Sequence, residues 1–212
     1  MNLKGLYCIT SFEHSLGRNN VDVVRAMLDG GAKIIQYREK YASKKHKYNE
    51  CIQIAQFAKE FGAYLIVNDD IDIAISVGAY GIHLGQDDLP IEQARKIVGS
   101  KMIIGISTHS PAQAEAAVRG GADYIGVGPI FATKTKVNVC DAVGLEYLDY
   151  AVKNIKIPFV AIGGIKTHNL DTVLDRGAKC VAMVTEIVCS PNIKEKTASL
   201  VNRINYNQPQ KK

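Results

Sequence analysis

Gly120-Gly121-Ala122-Asp123-Tyr124-Ile125-Gly126-Val127-Gly128-Pro129 is the stretch from which the fold is read. Paired glycines followed by alanine end a helix, because the residue just past a helix often takes left-handed angles that are costly for a residue bearing a Cβ. Tyr124, Ile125 and Val127 then form a strand, and Gly128-Pro129 stops its ladder. Within one turn's length the chain next presents Thr133, Thr135 and Lys136. Two hydroxyl donors and a cation suit a phosphate ester, so this loop is expected to wall an active site.

The same joint recurs outward from this stretch. It stands as Gly30-Gly31-Ala32 before Ile34-Ile35, Gly62-Ala63 before Tyr64-Leu65-Ile66-Val67, Gly78-Ala79 before Tyr80-Gly81-Ile82, and Gly177-Ala178 before Lys179-Cys180-Val181. Apolar runs at 5–10, 102–106 and 158–162 bring the strands to eight. Helical patterns at 21–28, 47–61, 72–77, 91–98, 111–119, 144–153, 168–176 and 193–204 alternate with them. That alternation predicts an α/β fold, a (β/α)8 TIM barrel in a single domain over 1–205, with 206–212 a frayed tail. A doubly wound open sheet is the structural alternative.

With 47% of its residues hydrophobic and 22% charged, the chain can bury a full core. No apolar run is long enough for a bilayer and the start lacks an apolar leader, so a cytoplasmic protein without a membrane partner is expected. The cysteines, odd in number and without a CxxC pair, read as reduced core residues rather than a zinc site. Much of the +5 net charge lies in Lys44-Lys45-His46-Lys47 and Lys211-Lys212. No nucleic-acid-binding motif accompanies it, so small phosphorylated substrates fit better than nucleic acid.

In such a barrel the chemistry belongs at the carboxyl ends of the strands, where polar residues gather in this sequence. After Ile34, the residues Gln36, Arg38 and Lys40 fall on one face at period two, which predicts a diphosphate clamp of a bidentate guanidinium and a mobile ammonium. A solvated edge is the plainer alternative. The third strand ends in Asn68-Asp69-Asp70 and the fourth in His83-Leu84-Gly85-Gln86-Asp87-Asp88. Asp69 and Asp88 are candidate ligands for Mg2+, an ion usually held by one or two carboxylates with phosphate oxygens and water. Both also stand where helix caps are expected. His83 reads as a satisfied core histidine, and Thr108-His109 as the approach to a helix opened by Ser110-Pro111. Gly163-Gly164 permits close approach to a phosphate, or simply a tight turn.

Taken in order, these residues resemble the thiamine phosphate synthase family over nearly the whole chain. The matching stretches are Gln36-x-Arg38-x-Lys40, Val67-Asn68-Asp69, 81–88, 105–109, 126–131 with Thr133-x-Thr135-Lys136, Gly144-Leu145, and Gly163-Gly164-Ile165 with Asn169. The resemblance implies a transferase that joins a pyrimidinylmethyl diphosphate to a carboxylated thiazole phosphate, giving thiamine phosphate, pyrophosphate and carbon dioxide. By the same resemblance Gln36, Arg38, Lys40, Asn68 and Ser107 hold the pyrimidine diphosphate, with Lys136 also reaching it. Asp69, preferred to Asp70 partly on this ground, and Asp88 bind magnesium, while Thr133, Thr135, Gly164, Val184 and Thr185 seat the thiazole phosphate. Arg38, Lys40, Ser107 and Lys136 are the residues expected to stabilise the leaving diphosphate. Three positions depart from the family pattern: Thr185 for serine, Ala132 for proline, and Glu186 for a small residue. A carboxylate at 186 is expected to repel a phosphate unless it points away or pairs with a cation such as Lys166. The rivals are a barrel that only isomerises the thiazole phosphate and one that binds its ligands without turnover.

Overall fold

The computed structural model of the chain describes residues 3–133, 135 and 140–206. Strand β1 (Gly5–Ile9) leads through a 3-10 turn (Phe12–His14) to helix α1 (Asn20–Asp29). Strands β2 (Ile34–Tyr37), β3 (Tyr64–Asn68) and β4 (Gly81–Leu84) alternate with helices α2 (Lys44–Glu60), α3 (Ile71–Ser76) and α4 (Ile91–Val98). Then come β5 (Ile103–Thr108), α5 (Pro111–Arg119), β6 (Tyr124–Val127), α6 (Gly144–Asn154), β7 (Phe159–Ala161) and α7 (Leu170–Asp175). Strand β8 (Cys180–Met183), a short helix α8 (Thr185–Val188) and α9 (Ile193–Tyr206) complete the order.

Every neighbouring pair of strands is parallel, and β1 closes on β8 with Tyr7 opposite Ala182. That pairing makes the sheet a closed eight-stranded barrel and rules out the open doubly wound sheet. The helix-ending joints behave as their sequence requires: Gly31, Gly62, Gly78, Gly121 and Gly177 all have φ between 59° and 97°.

Alternate residues of a strand face opposite sides, which divides the core into two. Tyr7, Ile9, Ile34, Ile66, Tyr124, Val160, Cys180 and Ala182 cluster inside the barrel. Their chain neighbours, such as Cys8, Ile35, Val67, Ile125 and Val181, pack outward against the helices. Cys8, Cys51 and Cys180 are buried as the apolar patterns predict, whereas Cys140 and Cys189 are exposed, and all five are free thiols. Among the described residues no helix is long and apolar enough to cross a membrane.

Several element boundaries differ from the sequence reading by one to three residues, and one short helix is additional. Helix α2 starts at Lys44 because Ser43 caps it, accepting from the His46 amide at 3.3 Å. Helix α8 is an extra turn after β8. Helix α9 runs on to Tyr206, and the rest of the expected tail, 207–212, lies outside the described residues.

The interior also explains one glycine. A Cβ at Gly105 of β5 would lie 2.1 Å from Cζ of Tyr124, so the tyrosine ring occupies the space a side chain would need. Gly105→Ala is therefore expected to destabilise the fold by about 1–3 kcal/mol, the usual cost of overpacking a core. The shift of the urea midpoint measures it, and an unchanged midpoint would contradict this packing.

Candidate active site

A cavity of about 410 Å³ opens at the carboxyl ends of the strands. Gln36, Lys40, Asp88, Ser107, Thr133, Thr135 and Val184 line it, so seven of the residues singled out in the sequence share one space. Its floor is the barrel interior, through Tyr7, His83 and Tyr124.

Gln36 reaches the cavity because it is the inward residue two positions after Ile34, just above the apolar layer. The period-two row does not continue unbroken, since β2 ends at Tyr37. Arg38 turns into an adjoining recess of about 260 Å³, whose lining shares Lys40 and Thr135 with the main cavity. The backbone there is pinned by Thr10, whose Oγ1 accepts from the Arg38 amide at 2.8 Å and donates to the Arg38 carbonyl at 3.1 Å. Among the described residues Nε of Arg38 is buried without a hydrogen-bond partner. A buried donor of that kind is unusual and leaves the guanidinium with unused capacity.

The two candidate metal ligands come together although 19 positions separate them in sequence. Asp69 follows β3 with φ 61°, a left-handed angle that costs a non-glycine residue roughly 1–2 kcal/mol. Its carboxyl meets the Lys40 ammonium and lies within hydrogen-bonding reach of Asp88. Burial pushes the Asp69 carboxyl above the ordinary aspartate value, Lys40 pulls it down, and Asp88 pushes it further up. Two carboxylates forced together this way have room for more positive charge than one lysine supplies. Asp88 is held by its own turn, accepting from the Gly85 amide at 2.6 Å.

Neither carboxylate caps a helix. The cap position of α4 is Pro90, and Asp70, at the cap position of α3, makes no capping bond. Asp70 instead takes Lys44 at 2.5 Å and Lys47 at 2.9 Å, which separates it from Asp69 in role. The basic segment is thereby tied to α3, with Lys44 also 2.8 Å from Asp72. Among the described residues no group of three or more His, Cys, Asp or Glu side chains could hold a metal ion. A pair of carboxylates matches the fewer protein ligands that magnesium takes beside phosphate oxygens and water.

Asn68 ends β3 opposite His83 of β4 and is 9% exposed. Ser107 of β5 sits with Oγ 2.9 Å from His83 Nε2, and its carbonyl accepts from Gln86 at 2.6 Å. His83 is buried and bonded at both ring nitrogens, as expected of a core histidine, yet it also lines the cavity. Thr108 stays in the strand and points outward, bonding the Gly126 carbonyl at 2.7 Å and Tyr147 Oη at 2.6 Å. Ser110 opens α5 as expected.

On the opposite side of the cavity Thr133 and Thr135 bring their hydroxyls to 3.0 Å from each other. Lys136 lies outside the described residues. The peptide bond between Gly128 and Pro129 is cis. Gly163 and Gly164 have φ of 100° and 63°, and a Cβ at Gly164 would meet the Phe131 and Ala132 carbonyl oxygens at 2.7 Å. The close approach these glycines allow is thus between the loops after β6 and β7.

Thr185 accepts from Lys166 Nζ at 2.6 Å. Glu186 is paired, with Oε1 accepting from Thr167 at 2.5 Å and Lys196 at 3.1 Å and Oε2 3.8 Å from Lys166. Burial alone would raise its carboxyl, but those bonds and charges outweigh burial and hold it below the ordinary glutamate value. The sequence reading did not count Lys166 or the Tyr7–Tyr124 pair as site residues. The tyrosines could have been found from their inward register, two tyrosines where an aliphatic layer is usual.

The sequence model of the family described as thiamine monophosphate synthase matches residues 6–187. The thiamine-phosphate synthase of Pelotomaculum thermopropionicum is 60% identical over 195 residues, 92% of this chain and 89% of that one. That of Dictyoglomus turgidum is 52% identical over 197 residues, covering 93% and 88%. The structure of a thiamine phosphate pyrophosphorylase from Pyrococcus furiosus superposes with a TM-score of 0.89 at 34% identity, covering 97% of this chain and 98% of that one. Matched over nearly its full length in sequence and in fold, this chain belongs to the thiamine monophosphate synthase family.

Proposed function

We propose that this barrel couples 4-amino-2-methyl-5-pyrimidinylmethyl diphosphate with a (carboxy)thiazole phosphate, and that it does so chiefly by stabilising the departing diphosphate. The observation that carries this is the meeting of Lys40, Asp69 and Asp88 at the rim of a cavity also lined by Gln36 and Ser107. Charge builds on the leaving group when the bond to the benzylic-type carbon breaks, and the electron-rich aminopyrimidine stabilises the cation left behind. A site for that chemistry needs fixed positive charge and donors more than a base or a nucleophile.

In this assignment Gln36, Asn68 and Ser107 orient the pyrimidine diphosphate, with Lys40 and Arg38 turned to its anionic end. Lys40 belongs to both the cavity and the Asp69 pair, so it can exchange one partner for the other without leaving the rim. Magnesium held by Asp69 and Asp88 supplies further charge to the leaving diphosphate when bound. The thiazole nitrogen brings its own lone pair, so the second substrate has only to be held against the cation. Thr133, Thr135, Gly164, Val184 and Thr185 are assigned to its phosphate. Lys166, bonded to Thr185, adds a cation there and offsets Glu186.

Three outcomes of one assay separate the readings. Purified chain mixed with both substrates is expected to form thiamine phosphate and pyrophosphate in a magnesium-dependent way. Tight binding of both ligands without product would support a silent barrel, and conversion of the thiazole phosphate alone an isomerase. Asp88→Asn is expected to raise the magnesium concentration needed for half-maximal rate by at least about tenfold, the weight of one charged contact; an unchanged requirement would remove Asp88 from the metal site. Arg38→Ala is expected to lower kcat/KM for the pyrimidine diphosphate by about 10- to 100-fold, the range for a bond to a charged group. Unaltered kinetics would show that its buried Nε serves no ligand.

A further inference from the structure

Inside the barrel lies a polar chain whose middle members have none of the roles assigned above. Gln36 Nε2 donates to Tyr7 Oη at 2.9 Å, and Tyr7 Oη lies 2.9 Å from Tyr124 Oη. Tyr124 Oη lies 2.9 Å from His83 Nδ1, and His83 Nε2 lies 2.9 Å from Ser107 Oγ. Its two ends are residues assigned above to the pyrimidine diphosphate, contributed by strands β2 and β5. Its middle is shut away, with Tyr7 and Tyr124 each 2% exposed. Room for it is provided by Gly105, which yields to the Tyr124 ring.

The hydrogens along such a chain have only one consistent order that starts from the amide nitrogen. A buried donor or acceptor left without a partner costs about 1–3 kcal/mol, so each hydroxyl accepts once and donates once. Burial pushes both phenols well above the ordinary tyrosine range, so both keep their hydrogens. The Gln36 nitrogen can only donate, so Tyr7 accepts there and gives its hydrogen to Tyr124. Tyr124 gives its own to Nδ1 of His83. The imidazole must then carry its hydrogen on Nε2 and donate it to Ser107. Ser107 is left with its hydroxyl hydrogen for the cavity, and Gln36 with its carbonyl oxygen.

We propose that Tyr7, Tyr124 and His83 are positioning residues, an ordered chain of hydrogen bonds that fixes Ser107 as a donor and the Gln36 oxygen as an acceptor toward the pyrimidine diphosphate. This rests on the assignment of Gln36 and Ser107 to that substrate. It makes the two sides of the pocket interdependent, because breaking the middle frees both ends. It also leaves Ser107 with a hydrogen to give, to an anionic oxygen or to a ring nitrogen with a free lone pair.

The order of hydrogens is read in the unmodified protein by nitrogen NMR with labelled histidine, the His83 signals being assigned by their loss in His83→Gln. Nε2 is expected to carry the hydrogen and Nδ1 to be bare; the opposite tautomer would overturn the chain, whatever any variant does. Tyr124→Phe keeps the ring and removes the central hydroxyl. It is expected to lower kcat/KM for the pyrimidine diphosphate about tenfold, the weight of one hydrogen bond lost with its partners stranded, while KM for the thiazole phosphate holds. Tyr147→Phe, which removes a hydroxyl bonded to Thr108 on the outer face of the sheet, serves as the control for lost stability. Equal kinetic effects from the two variants, with Gln36→Ala and Ser107→Ala impaired, would overturn the positioning role. Unimpaired Gln36→Ala and Ser107→Ala enzymes would overturn the proposal at its root, by removing its two ends from the substrate.

Discussion

Parallel closure of eight strands is the constraint on which everything else in this molecule depends. Five of the strands run from a glycine-marked joint at one rim to a polar segment at the other, and pairing β1 with β8 leaves no edge to which a strand end could stray. The carboxyl ends of β2, β3, β4 and β5 therefore share a rim although their residues are spread over about a third of the chain. Lys40, Asp69, Asp88 and Ser107 meet for that reason alone. Like charges are placed in contact, and the left-handed backbone at Asp69 is held in place by its neighbours, its amide donating to the His83 carbonyl at 3.0 Å. Such local cost is tolerated where the surrounding structure over-determines it, commonly at functional sites.

Beneath that rim the barrel interior departs from an aliphatic filling. A Tyr7–Tyr124 pair spans it, the rings tilted at 45° with 6.3 Å between their centroids and bonded through the hydroxyls. The pair connects the apolar floor to the polar mouth through Gln36 on one side and His83 on the other. Packing and polarity thus serve together: the rings fill the volume above Gly105, and their oxygens carry the hydrogen bonds that the cavity-lining residues need.

Much of this was legible in the sequence, for identifiable reasons. The joints at Gly31, Gly62, Gly78, Gly121 and Gly177 carry a backbone requirement that glycine meets at little cost, so the alternation of helix and strand could be counted. Period two placed Gln36 inward correctly. It failed at Arg38 because strand β2 ends at Tyr37, and a period has no meaning beyond the ladder that enforces it. Sequence alone left Asp69 and Asp70 open, because the difference between them is tertiary: Lys44 and Lys47, from the next helix back, engage Asp70 and leave Asp69 to Lys40 and Asp88. The partners of Glu186 are likewise distant in sequence, Thr167 and Lys196, the first of them on the loop after β7. Tyr7 and Tyr124 were each legible as inward by register, but that their hydroxyls meet is a product of closure, which no single strand shows.

The central claim is that this rim gathers one pyrophosphoryl group. It is tested most directly by a crystal structure of the chain grown with pyrophosphate and magnesium. The account predicts the ion between Asp69 and Asp88 and the pyrophosphate within hydrogen-bonding distance of Lys40 and Arg38. Pyrophosphate bound away from that rim, or at it with Asp69 and Asp88 turned apart and Lys40 uninvolved, would contradict it.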